Sequence, residues 1–289
     1  MKVLLTGASG FLGRAIQNRL ATDHEIIGLC HQQGMDGLLP CDIRDAGAFA
    51  KILGDHRPDA VVHAAAYRDP DFCEDHPEEC HRLNVAPAKT LCENLPEGVP
   101  LIQVSTDYVY DGDDPPYSEE MPPCPVSEYG RSKVAAENIV NQRTASISLR
   151  MPVLVGAGPS LDQSGFIGQL VALVRDQAET DVDDYHVRFP TWIEDVADAV
   201  AFLIDRQAEG IFQCSGPTGA TRYAAAVEVG GILGEETEHL TPVAASVPRK
   251  ARRPFNSQLS TDKIRALGYT GFTEFSDVVR HVLATFGQN

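Results

Sequence analysis

Tyr129 and Lys133 stand four residues apart in "SEYGRSKVAAE", and on a helix that spacing returns two side chains to the same face. A phenol near pKa 10 is a poor proton donor or acceptor at neutral pH, but a nearby ammonium stabilises the phenolate and shifts it toward a working range. Such a pair can protonate a carbonyl oxygen as a hydride arrives, Lys133 lowering the phenol and hydrogen-bonding a nicotinamide ribose. A solvated Tyr-x-x-x-Lys pair on any surface helix has the same spacing. The stretch "LIQVSTDYVYDG" distinguishes this one, because its strand delivers Ser105 and Thr106 to the sheet edge, where a hydroxyl can orient a substrate oxygen against Tyr129. An ST-turn closing the strand is the plainer alternative. A third constellation is "VLLTGASGFLGRAI", with Gly7, Gly10 and Gly13 where a strand turns into a helix. Glycine there lets the backbone approach a pyrophosphate, and the N–H groups and positive dipole of the helix start, at Phe11 and Leu12, attract it. A tight turn of purely structural purpose would also use three glycines.

These residues need a frame. Short β-rich runs at 2–6, 25–29, 38–39, 60–63, 101–105 and 147–149 alternate with apolar residues at helical spacing. Phe11, Leu12, Ala15, Ile16 and Leu20 form one such set, Ala48, Phe49, Ile52 and Leu53 another, and Leu83, Ala86, Leu91 and Leu95 a third. That alternation predicts an α/β fold, a Rossmann-type doubly wound parallel sheet, with ligands beyond the carboxyl ends of the strands. After Pro152 the regularity breaks. A strand-like run at 187–189 and a helix at 193–204 return to the sheet, while the segment from about Ser215 reads as a smaller, α-rich lobe. The expected division is therefore a dinucleotide-binding domain at 1–152, with 187–214 returning to it, and a substrate-binding lobe at 153–186 and 215–289.

The whole-chain arithmetic excludes several functions. The 289 residues carry 24 basic and 41 acidic side chains, a net charge of −17, so no basic face is expected to track nucleic acid. With 43% hydrophobic and 22% charged residues the chain is globular in composition. Its acid excess is shared by salt-adapted proteins. The seven cysteines, Cys30, Cys41, Cys73, Cys80, Cys92, Cys124 and Cys214, are scattered and odd in number, which fits reduced thiols rather than a disulfide frame or a metal site. No run approaches the roughly 18 apolar residues of a membrane span. A cytoplasmic protein with a small-molecule substrate is expected, without nucleic acid, membrane or metal, and with a homodimer allowed for.

The sequence resembles the extended short-chain dehydrogenases/reductases, close to the dTDP-4-dehydrorhamnose reductase group. It is similar also to the regulatory beta subunit of methionine adenosyltransferase. The matching stretches are "TGASGFLG", "VVHAAAY", Leu83 with Asn84, "STDYVYDG", "YGRSK", "RFPTWIEDVA" and "RPFNSQLSTDKIRALG", spanning nearly the whole chain. The resemblance implies a catalytic triad of Thr106, Tyr129 and Lys133 and reduction of a 4-keto-6-deoxy sugar nucleotide by NAD(P)H. The alternatives are a non-catalytic NADP-binding regulatory subunit, or a reductase or epimerase acting on another carbonyl. Resemblance and fold together place Asp42 and Ile43 beside the adenine, with Asp42 as cap of the following helix the bland alternative. They place Ala64, Ala65 and Ala66 where small residues leave room for cofactor, and Tyr108 at the substrate. His63 reads as a packed strand residue rather than a base. The second strand ends in Cys30, His31, Gln32 and Gln33 with no acid for the ribose 2′-hydroxyl, so NADP(H) is favoured and NAD(H) stays open. Arg14 or a protonated His31 would meet the 2′-phosphate. In "PRKARRPFN", Arg249, Lys250, Arg252 and Arg253 form either a solvated face or, at Arg253 above all, a contact to the substrate diphosphate.

Overall fold

The computed structural model describes residues 1–31, 35, 37–246 and 249–287, so Gln32 and Gln33 lie outside the described residues. Strands β1 (Lys2–Thr6), β2 (Glu25–Cys30), β3 (Leu39–Pro40), β4 (Ala60–His63), β5 (Leu101–Val104) and β6 (Ser146–Arg150) are followed by β7 (Leu154–Val155), β8 (Thr180–Asp183), β9 (Thr191–Trp192), β10 (Gly210–Gln213) and β11 (Leu240–Val243). The helices are α1 (Phe11–Leu20), α2 (Ala46–His56), α3 (Pro70–Asp75), α4 (Pro77–Asn84), α5 (Ala86–Asn94), α6 (Glu128–Val140), α7 (Gly165–Arg175), α8 (Ile193–Asp205), α9 (Arg222–Leu233), α10 (Asp262–Ala266) and α11 (Phe275–Thr285).

Seven strands pair in parallel in the order β10-β6-β5-β4-β1-β2-β3. Val3, Leu4 and Leu5 of β1 are all buried, because a central parallel strand has helices on both faces. One face is covered by α1 and α8, whose Ile16, Leu20, Val196 and Val200 share a core with Val3 and Leu5. On the other face Phe49 of α2, Leu91 of α5 and Ala136 of α6 pack on Leu4 and Val61. The chain leaves β1 toward β2 and β3 and then returns to β4, so the direction of winding reverses between β1 and β4. A crevice opens at such a switch point, beyond the strand carboxyl ends.

A second, smaller core joins α7, α9 and α11 to the β8–β11 pair through Leu170, Val229, Val282 and Leu240. Among the described residues no helix is long and apolar enough to cross a membrane.

Three expectations are corrected. Residues 187–189 are not a strand: Val187 and Arg188 make only isolated bridges, to Asn256 and Ala220. The strand of this region is the acidic β8, held by backbone pairing to β11 and by the buried Val182. Its alternate Asp181 faces water, which the sequence pattern disguised as a charged loop. The apolar series Leu83 to Leu95 is also not one helix. Pro77 and Pro87 sit in the first turns of α4 and α5, where a missing N–H costs nothing, and the helices break at Val85. Finally, Asp42 is not the cap of α2: Asp45 is, its Oδ1 accepting from the Ala48 N–H at 3.0 Å.

Candidate active site

A cavity of about 800 Å³ opens over the β1/β4 switch point. At its floor Gly7 adopts φ +71°, and a Cβ there would stand 2.9 Å from the Ala65 nitrogen. A Cβ on Gly13 would lie 2.0 Å from the Gly7 carbonyl oxygen, so Gly13 is what lets α1 sit close on the turn. Gly10 differs: the protein atom a Cβ would meet is the Gly7 oxygen, at 3.1 Å, and its other side faces the cavity. Gly10 begins α1 with no side chain capping it, leaving the first helical N–H groups, at Phe11 and Leu12, aimed at the opening. Small residues and an uncapped helix start form a cradle that fits a pyrophosphate.

From this floor the cavity runs toward the end of β2, where it is bordered by Cys30, His31, Asp42 and Ile43. Arg44 grips Asp42 in two parallel bonds of 2.8 Å each, and this guanidinium pushes the carboxyl down to about 2. Arg44 itself lines the cavity, a residue the sequence reading passed over although "CDIRD" contains it. Arg14 does not line it. Its guanidinium turns back to the Ser9 carbonyl oxygen at 2.9 Å. Ala64, Ala65 and Ala66 border the middle, and the Ala65 N–H donates to Thr6 Oγ1 at 3.2 Å. Thr6 Oγ1 also lies 2.7 Å from His63 Nδ1, and burial holds His63 down to about 3, an uncharged strand residue.

The opposite wall carries Ser105, Thr106, Tyr129 and Lys133. Ser127 caps α6 by accepting from the Gly130 N–H, so the helix begins just before the tyrosine. Tyr129 sits edge-on to Tyr108, ring centroids 5.6 Å apart, and the Thr106 hydroxyl that lines the same wall donates to Asp107 Oδ1 at 3.1 Å. Burial raises the phenol above its ordinary value, the Thr106 side chain opposing it. Lys133 Nζ is buried and donates to the Val104 carbonyl at 2.6 Å; loss of solvent brings it down to about 8, against the pull of Glu137. Burial dominates the acidity of the phenol in this arrangement, in which the Lys133 ammonium is engaged by a backbone carbonyl. Ser105 is turned away to Glu137, at 2.5 Å, leaving Thr106 as the hydroxyl beside the tyrosine.

Beyond Tyr108 the cavity enters the second lobe. Arg188 lies over the Tyr108 ring, 5.9 Å from its centroid, and bonds the Val187 and Pro254 carbonyls. Arg253 lines the cavity, yet both of its terminal nitrogens are held by Asp71, at 3.0 and 2.8 Å. Lys250 pairs with Asp75. Burial and the neighbouring Arg249 hold Arg222 below the usual guanidinium value. His186 contacts Asp183 through Nδ1 at 2.7 Å. Altogether six arginines and Lys133 border the cavity, against the carboxylates of Asp42, Asp107 and Asp183. Of these arginines sequence reasoning raised Arg249 and Arg253; Arg188 was visible only as part of "RFPTWIEDVA".

The family model described as the RmlD substrate binding domain matches residues 1–288. The methionine adenosyltransferase 2 subunit beta of Danio rerio is 33% identical over 295 residues, covering 99% of this chain and 91% of that protein. A dTDP-4-dehydrorhamnose reductase ortholog from Clostridium acetobutylicum superposes with a TM-score of 0.88 at 28% identity, over 99% of this chain and 100% of that one. The dTDP-4-dehydrorhamnose reductase of Bacillus anthracis, solved in complex with NADP, shares the fold at a TM-score of 0.88 and 23% identity, over 98% of this chain and 99% of its own. The chain belongs to the RmlD substrate-binding-domain family, and so to the extended short-chain dehydrogenases/reductases.

Proposed function

We propose that this chain is an NADPH-dependent reductase of a 4-keto-6-deoxy sugar nucleotide. The observation that carries the reading is one cavity bordered at once by the glycine turn, by Thr106, Tyr129 and Lys133, and by an excess of arginine in a chain of net charge −17. Concentrated positive charge in an acidic molecule attracts anions to that place. The Gly7–Gly10 turn and the start of α1 receive the pyrophosphate, Asp42 and Ile43 flank the adenine, and Ala64, Ala65 and Ala66 leave room for the ring beyond. Bound nicotinamide supplies the hydride. Tyr129, kept protonated by its burial, gives its proton to the substrate carbonyl oxygen, and the Thr106 hydroxyl fixes the direction of that transfer. Lys133 has ammonium hydrogens beyond the one spent on Val104, for the phenol and the nicotinamide ribose. Tyr108 and Arg253 contact the sugar and its diphosphate. Cys30 and His31 present no carboxylate to repel a 2′-phosphate, which supports NADP(H) over NAD(H); Arg44 and His31 line this end of the cavity and Arg14 does not.

A second reading has its own support in the 33% identity to a methionine adenosyltransferase subunit over nearly the whole chain. In it the cavity binds a dinucleotide without turnover. One experiment separates the two: NADPH oxidation measured with a panel of dTDP-, UDP- and GDP-linked 4-keto sugars, alongside titration of NADPH and NADH. A reductase turns over, and Tyr129→Phe lowers turnover by about 10² to 10⁴ with cofactor binding intact. Tight NADPH binding without turnover of any of them favours the regulatory reading, and NADH bound ten times tighter than NADPH overturns the cofactor preference.

A further inference from the structure

The helical hairpin of α3 and α4 folds Cys73 and Cys80 onto each other, Sγ to Sγ 2.8 Å, both buried. A disulfide bond is about 2.05 Å long, so these sulfurs need less than an ångström of side-chain movement to join. They are seven residues apart, a spacing that matches no paired-cysteine motif, and only the turn at His76 between the two helices brings them together.

The two thiols are unequal. Cys80 accepts a hydrogen bond from Asn84 Nδ2 at 3.3 Å and donates one to Ser132 Oγ at 3.4 Å. Its contacts with Cys73 and Ser132 lower Cys80 below an ordinary thiol, while Cys73 is pushed up as the proton-bearing partner. A thiolate beside a thiol is the arrangement in which one sulfur attacks and the other resolves. The groups that touch Cys80 also build the cavity wall. Asn84 holds Tyr67 by both backbone groups, at 2.8 and 3.0 Å. Ser132, between Tyr129 and Lys133 on α6, donates to the Tyr129 carbonyl at 2.7 Å. Pro70, Tyr67 and Leu83, which flank the pair in the chain, line the cavity.

We propose that Cys73 and Cys80 are an intramolecular disulfide site, closed by hydroperoxides, and that closure weakens dinucleotide binding by drawing the Cys80 sulfur away from Asn84 and Ser132. The Cys80 sulfur attacks one peroxide oxygen and the O–O bond breaks, giving a sulfenic acid while the other oxygen leaves as alcohol or water. The Cys73 sulfur then displaces the hydroxyl from Cys80, its proton departing with that hydroxyl as water. Two thiols are oxidised by one hydroperoxide, and the balance closes. The effect on binding rests on the reading that the cavity holds a dinucleotide; the disulfide itself does not.

The reduced full-length protein, freed of reductant and treated with hydrogen peroxide, should lose two hydrogens in intact mass. Peptide mapping should join Cys73 to Cys80, with reversal by dithiothreitol. Cys73→Ser should stop at a sulfenic acid on Cys80, trapped by dimedone. NADPH affinity should fall about fivefold on oxidation, the equivalent of one lost hydrogen bond, and remain unchanged in peroxide-treated Cys73→Ser/Cys80→Ser. Alkylation of both cysteines after peroxide treatment overturns the site, and an oxidised protein that binds NADPH as the reduced one does overturns the coupling. If neither form binds NADPH the cofactor reading has failed, while the mass and mapping results still decide the disulfide.

Discussion

Lys133 is a cation held out of water by α6 and satisfied by one backbone carbonyl, and its acidity follows from that placement. At about 8, against 10.5 for an ordinary lysine, its ammonium is lost within an accessible pH range. If the ammonium serves both the phenol and the ribose, kcat/KM should fall as pH rises through about 8, and Lys133→Met should abolish that limb along with most of the activity. A wild-type profile flat to pH 9.5 would refute the role. The stability sign is opposite. The folded state binds this proton less tightly than the unfolded state, so the penalty is full below about 8 and is relieved as pH climbs toward 10.5. Tyr129, Lys133 and Thr106 could be read from the sequence because two sit at helical spacing and the third ends a strand. Arg188, Arg222 and His186 could not, since the first and last come from one irregular stretch between β8 and β9 and Arg222 opens α9, with no periodic mark linking them.

Beneath those residues, α6 is pinned to β6 by a buried ion pair. Arg150 meets Glu137 through Nε at 3.0 Å and Nη2 at 2.6 Å, and its Nη1 reaches the Tyr110 hydroxyl at 2.5 Å. Removing one member of a buried pair strands the other charge, at a cost of about 3–5 kcal/mol. Glu137→Ala should lower the urea midpoint correspondingly and, because Glu137 lies one turn beyond Lys133, weaken the cavity wall as well. A loss below about 1 kcal/mol would show that the pair is solvent-relieved. The six strands from β1 to β6 were legible from their apolar runs, and α1 and α6 from the spacing of their side chains. Breaks at Pro77 and Pro87 and the acidic β8 were not, because there backbone chemistry and long-range pairing overrode the side-chain pattern.

At the scale of the molecule, a net charge of −17 repels itself while the cavity gathers arginine. Raising sodium chloride from about 0.05 to about 0.5 M shortens the Debye length to a few ångströms, so the melting temperature should rise while NADPH affinity falls. A melting temperature that drops with salt would contradict this account. Composition announced the charge; its segregation needed the fold. One tie across that fold has a consequence for how the molecule is made. Asp71, at the start of α3, accepts both the Ala251 N–H and the Arg253 guanidinium, partners 180 and 182 residues further along the chain. Contacts of such separation form late, after the local strand–helix units have already condensed. During synthesis the central sheet therefore has time to assemble with its crevice still unwalled on one side, and a ligand of that crevice can act as a folding aid only for the nearly finished chain.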